Sequence, residues 1–450
     1  MEESVKVNPL ATEKVERLIL KFSIPAIISM LVSSLYNIVD QIFIGQGVGL
    51  LGNAATNIAF PITIICTATA LLLGIGSASN FNLSSGAGEQ ECACRYAGTG
   101  LVMLMLCGVT IAVIVLLFLE PLLHVFGVTK DVLPYAQDYT GITAFGIPFL
   151  ILTTGGNHLI RADRSPTYSM TCMLTGAIIN TILDPLFIFG LNLGIKGAAI
   201  ATIISQTLSA AYVFYFLRKK AELKVRVLSK GEWKACRDDA KNIVSLGSAG
   251  FIMQLTNSLV TICCNSVLSG IGGDVYISVM TIVSSVRQMV ETPIYAINEG
   301  TSPILSYNYG ARRPMKVKKA IRVLTCMILI YTAITWSVII FEPEFLIGIF
   351  STDRELLADC VDALKLYFAA FIFMDLQYVG QTVFKSLNKK KQAIFFSLLR
   401  KVFIVVPLTY LFPYAFHMGT RGVFLAEPIS NVIGGSLCFI TMLVMLKRSV

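Results

Sequence analysis

The fold is decided at Ser33-Ser34-Leu35-Tyr36-Asn37-Ile38-Val39-Asp40, where a carboxylate lies inside an apolar segment that runs from Phe22 to Ile44. That segment is long enough to cross a bilayer as a helix. A charge at membrane depth costs at least ~2.5 kcal/mol, so Asp40 is expected to face protein or water and to have a function. A structural Asp that hydrogen-bonds into the helix packing is the alternative. Helical spacing places four polar side chains on one face: Ser33, Tyr36, Asn37 and Asp40.

The composition is that of an integral membrane protein. Hydrophobic residues make up 55% of the chain and charged residues 14%, and the mean hydropathy is +0.73, far above that of a soluble domain. The 11 cysteines lie without metal-ligand spacing and are interpreted as small buried hydrophobic residues. The sequence has no Walker motif, nucleophile elbow or His-Glu-x-x-His stretch, which argues against an ATP-driven pump or an intramembrane hydrolase, and no enzymatic function is predicted.

Apolar segments of membrane-spanning length recur along the chain and predict twelve transmembrane helices. They lie near residues 22–44, 54–79, 98–119, 139–160, 168–190, 198–217, 243–269, 276–304, 322–341, 364–386, 394–412 and 422–446. A run of Lys and Arg between residues 218 and 241 separates the first six from the last six. We therefore predict an all-α integral membrane protein with a six-helix lobe (1–217), a basic cytoplasmic linker (218–241) and a second six-helix lobe (242–450).

The distribution of Lys and Arg predicts the orientation, because cytoplasmic loops of membrane proteins are enriched in basic residues. With a cytoplasmic N-terminus, most basic residues fall on the cytoplasmic side, and both termini are predicted to be cytoplasmic. The net charge of +9 is then explained by topology signals beside anionic headgroups, without a nucleic-acid partner. The opposite side receives only Lys130, Lys196, Arg354, Lys365 and Arg421.

The two halves of the chain resemble each other at a nearly constant offset in residue number. Gly76 matches Gly300 at an offset of 224, and Lys196-Gly197 matches Arg421-Gly422 at 225. An internal duplication with six helices in each half predicts two parallel bundles related by a pseudo-twofold axis along the membrane normal. Such repeats commonly place a substrate site between them, near the midplane.

Polar groups of the first half point to a cation. Asn180 and Asp184 lie four residues apart on one helical face, and Pro185 leaves one backbone carbonyl of that helix free. Oxygen ligands of this kind suit Na⁺, and two nearby carboxylates suit a shared proton equally well. Asp40 aligns with Cys264, so the duplication did not keep this carboxylate for symmetric packing. The sixth helix carries a polar stripe of Thr202, Ser205, Gln206 and Ser209. These side chains either bind a ligand or hydrogen-bond to the backbone of their own helix.

Polar positions of the second half lie on different helices. Arg287 and Glu291 have the i,i+4 spacing of an ion pair, which leaves a structural pair and a binding element equally open. Glu299 and Asp375 lack such a neighbour on their own helices. The remaining polar positions are Gln254, Asn257, Thr261 and Asn265 on the seventh helix, and Tyr378 and Thr382 on the tenth.

The sequence resembles the multidrug and toxic compound extrusion (MATE) family. Residues 289–303 (MVETPIYAINEGTSP) and 306–311 (SYNYGA) resemble its bacterial MepA-like branch, and the resemblance covers nearly the whole chain. It implies a hinge in the first helix at Pro25 and a cation site, with a possible Na⁺ bound by its carboxylate and amide members. It also implies that Gln254 replaces a C-lobe glutamate, which leaves Asp375 as a substrate or secondary proton group. The implied cation site comprises Tyr36, Asp40, Asn180, Asp184 and Thr202.

The resulting hypothesis is an H⁺- or Na⁺-coupled antiporter that exports amphipathic, mainly cationic compounds from the cytoplasm. Cationic cargo is favoured because acidic residues outnumber Arg287 at membrane depth. A flippase for lipid-linked precursors and a non-transporting scaffold are the alternatives. We expect a monomer in the bacterial inner (cell) membrane, with no cofactor besides the coupling ion. The predicted cargo-binding residues are Gln254, Asn257, Arg287, Glu291, Glu299, Asp375 and Tyr378.

Overall fold

The computed structural model describes residues 8–222, 233–350 and 356–449, and within these ranges every regular element is a helix. Nine of the described helical stretches are long and apolar enough to cross a membrane. The protein is therefore an all-helical membrane protein. The nine stretches are Val15–Gly47, Leu50–Gly86, Gln90–Leu117, Pro166–Gly190, Ile195–Lys220, Ala235–Gly273, Pro314–Phe341, Lys390–Ala415 and Gly419–Arg448.

Two compact units make up the chain. The N-terminal unit comprises residues 24–251, and the C-terminal unit comprises residues 252–450 together with residues 1–23. The first part of the chain contains the helices α1 (Pro9–Thr12), α2 (Val15–Gly47), α3 (Leu50–Gly86), α4 (Gln90–Leu117), α5 (Leu119–Val125), α6 (Leu133–Thr143), α7 (Ile147–Ala162), α8 (Pro166–Pro185) and α9 (Ile195–Tyr215).

The second part of the chain begins with one very long helix. It contains α10 (Trp233–Gly310), α11 (Pro314–Phe341), α12 (Pro343–Gly348), α13 (Leu357–Tyr367), α14 (Phe371–Ser386), α15 (Lys390–Leu398), α16 (Val406–Tyr410), α17 (Gly419–Ser430) and α18 (Ser436–Ser449). Helix α10 is two helices joined at Gly273, whose φ of 64° is accessible to glycine without strain. This break lies between the predicted spans 243–269 and 276–304.

The described parts of both units contain five short π-helical segments. They are Leu186–Gly190, Phe216–Lys220, Leu399–Val405, Leu411–Ala415 and Asn431–Gly435. The first two continue α8 and α9, and the others lie beside α15, α16 and α17. Such segments are rare in helices and are frequent at functional sites.

Three predicted spans are not among the nine stretches. The fourth (139–160) is interrupted by a 3₁₀ turn at Ala144–Gly146, directly before α7, and Pro148 in the first turn of α7 has no N–H to continue a helix from α6. The tenth (364–386) breaks between α13 and α14, where the Trp336 indole donates to the Phe368 carbonyl at 3.1 Å. The eighth (276–304) lies within α10 and carries the charged side chains discussed below.

The exposed surface of α2 agrees with a lipid environment. Leu35, Ile38 and Ile42 are 60%, 51% and 49% exposed, and their spacing puts them on one side of the helix. Tyr36 and Asp40 lie on a different face and are half-buried. An apolar stripe of this kind suits acyl chains, while the polar face is turned toward protein.

Close glycine contacts bear out the internal duplication. A Cβ atom on Gly76 would lie 2.1 Å from the Ile243 carbonyl oxygen and 3.2 Å from the Gly247 nitrogen. A Cβ atom on Gly300 would lie 2.8 Å from the Ser23 nitrogen. Gly76 and Gly300 differ in residue number by 224, and so do Ser23 and Gly247. In each case an early part of a long helix contacts a glycine of the same compact unit. Helix α10 contacts Gly76 in the N-terminal unit, and helix α2 contacts Gly300 in the C-terminal unit.

The predicted division into two lobes and a linker stays a prediction. Residues 223–232 of the linker lie outside the described residues, and α10 begins within the predicted linker at Trp233. Helix α2 passes from the C-terminal unit to the N-terminal unit between Ser23 and Ile24, and α10 passes in the opposite direction between Phe251 and Ile252. The units are therefore linked through the interiors of two helices.

Candidate functional site

A pair of carboxyl groups lies inside the N-terminal unit. Asp40 on α2 and Asp184 on α8 lie close enough for their side chains to interact with each other. Asp184 is completely buried. Two carboxylates at this separation repel each other unless a proton or a cation lies between them. The structure therefore brings together the two acids that the sequence analysis proposed as a pair.

Amide groups fix the orientation of both carboxyl groups. The Asn180 side chain donates to Asp184 Oδ1 at 3.1 Å. The Gln41 side chain interacts with the neighbouring Asp40 carboxyl and accepts from Thr56 Oγ1 at 3.1 Å. Among the described residues, Asp40 Oδ1 and Asp184 Oδ2 are buried and have no hydrogen-bond partner. These two oxygens are the atoms that a bound proton or cation would satisfy.

The predicted site residues differ in their distance from this pair. Tyr36 interacts electrostatically with both acids. Thr202 is half-buried on α9, and the hydrogen bonds of the described residues do not join it to either acid. Asn37, from the predicted polar face, is exposed and donates to the Ser33 carbonyl of its own helix at 2.8 Å.

The donor set of the pair fits a proton and a small hard cation. Two carboxylates and the Asn180 amide oxygen are ligands that Na⁺ accepts. Within the described ranges, no group of three His, Cys, Asp or Glu residues could hold a metal ion, which gives no support for a transition metal. The candidate Na⁺ ligands Asp40, Asn180 and Asp184 thus remain a proposal, and these residue types do not separate Na⁺ from H⁺.

Pro25 lies inside α2, which continues through it as one helix of 33 residues. The proline is buried and is the second residue of the N-terminal unit. Because proline removes one backbone hydrogen bond, it locally weakens the helix. Its position beside the passage between the units agrees with the predicted hinge, which stays a prediction.

A cluster of charged side chains lies inside the C-terminal unit. Arg287 Nε donates to Glu291 Oε1 at 2.5 Å, which is the i,i+4 pair that the spacing predicts. Arg287 also donates to the Tyr367 hydroxyl at 2.6 Å. The Tyr378 hydroxyl donates to Glu291 Oε2 at 3.3 Å and accepts from Tyr295 at 2.8 Å. Both oxygens of Glu291 are therefore bonded to protein.

Glu427 on α17 extends this cluster. Its Oε1 atom lies 2.8 Å from Lys401 Nζ, 3.2 Å from Arg400 and 3.8 Å from Arg287. Arg400 also donates to the Asn431 side chain. Glu427, Arg400 and Lys401 are each at most 3% exposed. Three cations therefore converge on one buried carboxylate oxygen.

Asp375, another residue predicted to bind cargo, lies beside the cluster and interacts electrostatically with Glu291 and Arg400. Asp375 on α14 is fully buried and accepts from Thr332 Oγ1, while its Oδ1 atom has no hydrogen-bond partner among the described residues. Glu299 is half-buried in α10. The hydrogen bonds between described residues do not connect Gln254 or Asn257 to the charged cluster. The structure thus brings Arg287, Glu291 and Tyr378 together with Asp375 beside them, while no hydrogen bond between described residues ties Gln254 or Asn257 to the cluster.

Several residues of both sites were not singled out from the sequence. Gln41 and Tyr139 lie beside the acid pair, and Tyr139 interacts electrostatically with both acids. In the C-terminal unit, Arg400, Lys401 and Glu427 form the centre of the cluster. Their sequence signal was the same one that identified Asp40, since each lies inside an apolar segment of spanning length. Arg400, Lys401 and Glu427 also change the number of charges at membrane depth. The excess of acidic residues that favoured cationic cargo was counted without these three.

The model of one protein family matches this chain twice. The family described as MatE matches residues 25–186 and again residues 250–411. The chain belongs to the MATE family of transporters. The first residue numbers of the two matches differ by 225, as do the last, which agrees with the internal duplication. The MATE membership also shows that the protein is not an enzyme.

Curated MATE relatives align with almost the entire chain. An FAD transporter of Shewanella oneidensis is 26% identical over 439 residues, covering 96% of this chain and 95% of that protein. The multidrug export protein MepA of Staphylococcus haemolyticus is 25% identical over 417 residues, covering 92% of this chain and 90% of that protein.

Solved structures support the fold. One described as the outward-facing conformation of a multidrug resistance MATE family transporter has a TM-score of 0.92, with 24% identity, 100% coverage of this chain and 99% of that one. A second, described as MATE in the bent conformation, has a TM-score of 0.90, with 24% identity, 97% coverage of this chain and 96% of that one. At this identity, the similarity concerns the fold alone.

Proposed function

We propose that this MATE protein is an antiporter that exports amphipathic, mainly cationic compounds from the cytoplasm by coupling to inward movement of H⁺ or Na⁺. The observation that carries the proposal is the Asp40–Asp184 contact in the N-terminal unit. A pair of buried acids inside a membrane protein is costly unless it has a partner. A coupling cation from either side of the membrane would be that partner.

The coupling step follows from charge neutralisation. A proton or Na⁺ at Asp40 and Asp184 removes net negative charge from the interior of the N-terminal unit. Helix α2 carries Asp40 and passes Pro25, so the loss of charge favours a different packing of this helix. The ion can shift the conformational equilibrium only by its difference in affinity for the two conformations. One elementary charge that crosses a membrane potential of 100 mV supplies about 2.3 kcal/mol.

Cargo binding is assigned to the polar groups of the C-terminal unit. Asp375 has one buried oxygen without a hydrogen-bond partner among the described residues, which makes it the best placed of the predicted acids to attract a cationic group. Glu291 is less suited because Arg287 and Tyr378 already bind its two oxygens. Of the nearby tyrosines, Tyr295 is the one suited to contact an organic cation, because Arg287 and Arg400 already lie over the rings of Tyr367 and Tyr378.

The membrane arrangement that we propose has twelve spans, in two bundles related by a pseudo-twofold axis, with both termini in the cytoplasm. The spans beyond the nine stretches would come from α6 with α7, from α10 after Gly273, and from α13 with α14. The inner membrane of a bacterium and a monomeric state complete the proposal. The basic residues of the predicted cytoplasmic segments support this orientation.

A second candidate cargo is a flavin nucleotide. It is favoured by the relative named FAD transporter and by the buried cations Arg287, Arg400 and Lys401, since a nucleotide carries negative phosphate groups. The same cations are also consistent with the flippase alternative, because a flippase for lipid-linked precursors needs a basic site for phosphate. Glu291 and Glu427 already pair with these cations, which favours cationic cargo over both alternatives.

Transport by the purified protein in lipid vesicles tests the proposal. A fluorescent organic cation and FAD would be offered separately, under an imposed proton gradient, an imposed sodium gradient or neither. We expect the cation to move uphill under at least one gradient and to remain at equilibrium without a gradient. Movement of FAD alone would replace the cargo class, and movement of neither compound under either gradient would contradict the proposed function.

A further inference from the structure

The internal duplication assigns each residue of the N-terminal acid site a counterpart in the C-terminal unit. A Cβ atom on Gly197 would contact the Phe187 carbonyl, and one on Gly422 would contact Phe412 in the same way. The two glycines differ in residue number by 225, as do the two phenylalanines, which fixes the local offset. At this offset three counterparts follow: Asp184 corresponds to Thr409, Thr202 to Glu427, and Gly176 to Lys401.

The counterpart of Asp40 follows from the offset of 224 that the Gly76 and Gly300 contacts establish. It is Cys264, whose Sγ atom lies 3.9 Å from Thr409 Oγ1. This contact is the equivalent of the contact between Asp40 and Asp184. The C-terminal unit thus also has a side-chain contact at this place, between a thiol and a hydroxyl instead of two carboxyl groups.

A lysine and a glutamate have been added at the same place. Lys401 Nζ lies 2.8 Å from Glu427 Oε1, and Cys264 interacts electrostatically with both residues. In the N-terminal unit the corresponding residues, Gly176 and Thr202, carry no charge. At this place the N-terminal unit has two acids, Asp40 and Asp184, which need a bound cation. The C-terminal unit has one acid, Glu427, which is paired with the ammonium group of Lys401.

The backbone around Lys401 is shaped for this arrangement. Neighbouring residues of an α-helix point about 100° apart, yet Arg400 and Lys401 both bind Glu427 Oε1. They lie in the π-helical segment Leu399–Val405, and Asn431 opens a second π-helical segment. A Cβ atom on Gly434 would lie 3.0 Å from Arg400 Cβ, so the second segment leaves room for the arginine. Short π-helical segments within α-helices are frequent at functional sites.

We propose that Lys401 and Glu427 form a proton-releasing site in the C-terminal unit. Arg287 also pairs with Glu291, whereas Arg400 and Lys401 share a single carboxylate, Glu427, as their ion-pair partner among the described residues, so one of these two cations has no counter-charge of its own. Such a charge is costly away from water. Arginine stays charged in proteins, whereas lysine can lose its proton. The Lys401 proton leaves to water, and the neutral amine continues to donate to Glu427.

The groups around the ammonium determine when the proton leaves. Asp375 on α14 interacts electrostatically with Arg400 but, among the described residues, forms no ion pair with a cation of the cluster. Lys401 interacts directly with Arg400 on its own segment, Glu427 on α17, and Arg287 and Cys264 on α10. The other titratable or charged groups of the surrounding cluster are Glu291 on α10, Tyr367 on α13, and Asp375 and Tyr378 on α14.

Proton counting on the purified full chain tests the titration without any cargo. The protein would be moved from about pH 6 to about pH 9, a range in which exposed lysines stay charged, and the released protons would be counted with an indicator dye. We expect wild type to release about one proton more per molecule than Lys401→Arg or Lys401→Met. Lys385→Arg, at another buried lysine of the same unit, should match wild type. Equal release by wild type and both Lys401 variants overturns the proposal.

Vesicle transport tests whether this proton takes part in coupling, a role that rests on the proposed antiport function. We expect gradient-driven export to fall at least about tenfold in Lys401→Arg and Lys401→Met, with cargo binding unchanged. Arginine preserves an ion pair with Glu427 but keeps its proton. Wild-type export by Lys401→Arg would make Lys401 a fixed structural partner and overturn the coupling role. Lack of export by wild type would instead contradict the proposed function, while the proton count would still decide the titration.

Discussion

Both carboxylate oxygens of Glu291 are hydrogen-bonded to protein, which leaves neither oxygen free to bind cargo. Arg287 binds one oxygen and the Tyr378 hydroxyl binds the other. In a protein interior, removal of one member of a charged pair leaves the other member unpaired, which costs more than removal of both. Asp375 differs because one of its oxygens has no hydrogen-bond partner among the described residues. The first carboxylate is therefore assigned to stability and the second to cargo.

Neutralising Glu291 should destabilise the C-terminal unit. We expect Glu291→Gln to cost about 3–5 kcal/mol and the double variant Arg287→Met/Glu291→Gln to cost clearly less than the two single variants together. Thermal unfolding of the purified protein in detergent measures this difference. Glu120→Gln, at an exposed Glu120–His124 pair, is the control and should unfold like wild type. Additive losses in the double variant would show that Arg287 and Glu291 do not depend on each other.

Neutralising Asp375 should change cargo selectivity. A buried carboxylate attracts a cationic group directly, so we expect Asp375→Asn to weaken binding of an organic cation at least about tenfold, equivalent to about 1.4 kcal/mol. Binding of a neutral compound of similar size should change little. Titration of the purified protein with both compounds gives the two affinities. Equal weakening of both would assign Asp375 to structure through its bond with Thr332.

Helices α2 and α10 begin with matching glycine contacts. Gly247 approaches α3 so closely that a Cβ atom would lie 1.6 Å from the Leu72 carbonyl oxygen. The equivalent position in the first half of the chain is Ser23, which lies against Gly300 in the same way. Since the obstructing atoms belong to backbone, no side-chain rotation relieves the overlap. These helices therefore depend on small residues where they begin.

A methyl group at Gly247 should separate α10 from α3. We expect Gly247→Ala to lower the stability of the purified protein by about 1–3 kcal/mol, seen as a lower unfolding temperature. Gly348→Ala is the matched control, because a Cβ atom at Gly348 meets no atom within 4 Å. An unchanged unfolding temperature for Gly247→Ala would mean that the close approach contributes nothing to stability.

The sequence predicted the positions of spanning helices correctly where the apolar segment forms one continuous helix. It did not predict the points at which an apolar segment is broken into two helices. The interruptions at Ala144–Gly146 and between α13 and α14 occur in apolar sequence, so hydropathy does not mark them. Spacing along one helix predicted the Arg287–Glu291 pair and the partnership of Asn180 with Asp184. It did not predict that Arg400 and Lys401 share one carboxylate, because a π-helical segment turns two neighbouring residues toward the same partner. Contacts of this kind depend on backbone geometry that residue types do not reveal.

At the scale of the whole molecule, the duplication produced two units with the same packing and different charges. The glycine contacts are repeated at offsets of 224 and 225 in residue number, whereas the acid pair of the N-terminal unit has a thiol and a hydroxyl as its counterparts. Conserved packing with altered charge is what we expect if the two units take different parts in one transport cycle. The N-terminal unit would bind the coupling cation, and the C-terminal unit would hold cargo and a built-in ammonium.

The orientation of the whole chain is open to a labelling test. We expect a cysteine introduced at Lys230, in a background without reactive native cysteines, to be protected from an impermeant thiol reagent added outside intact cells. A cysteine at Lys130, predicted on the opposite side, should react under the same conditions. Labelling of position 230 from outside would contradict the cytoplasmic linker and with it both cytoplasmic termini.

The central claim is that the Asp40–Asp184 pair couples an ion to export, and gradient-driven transport by Asp40→Asn tests it most directly. Vesicles with equal amounts of wild type, Asp40→Asn or the control Asp138→Asn, at a half-buried acid of α6 that pairs with Lys196, would export a fluorescent organic cation under a proton or a sodium gradient. We expect Asp40→Asn to fold and to bind cargo but to lose at least about 90% of driven export, while Asp138→Asn exports like wild type. Export by Asp40→Asn at the wild-type rate under both gradients would contradict the account.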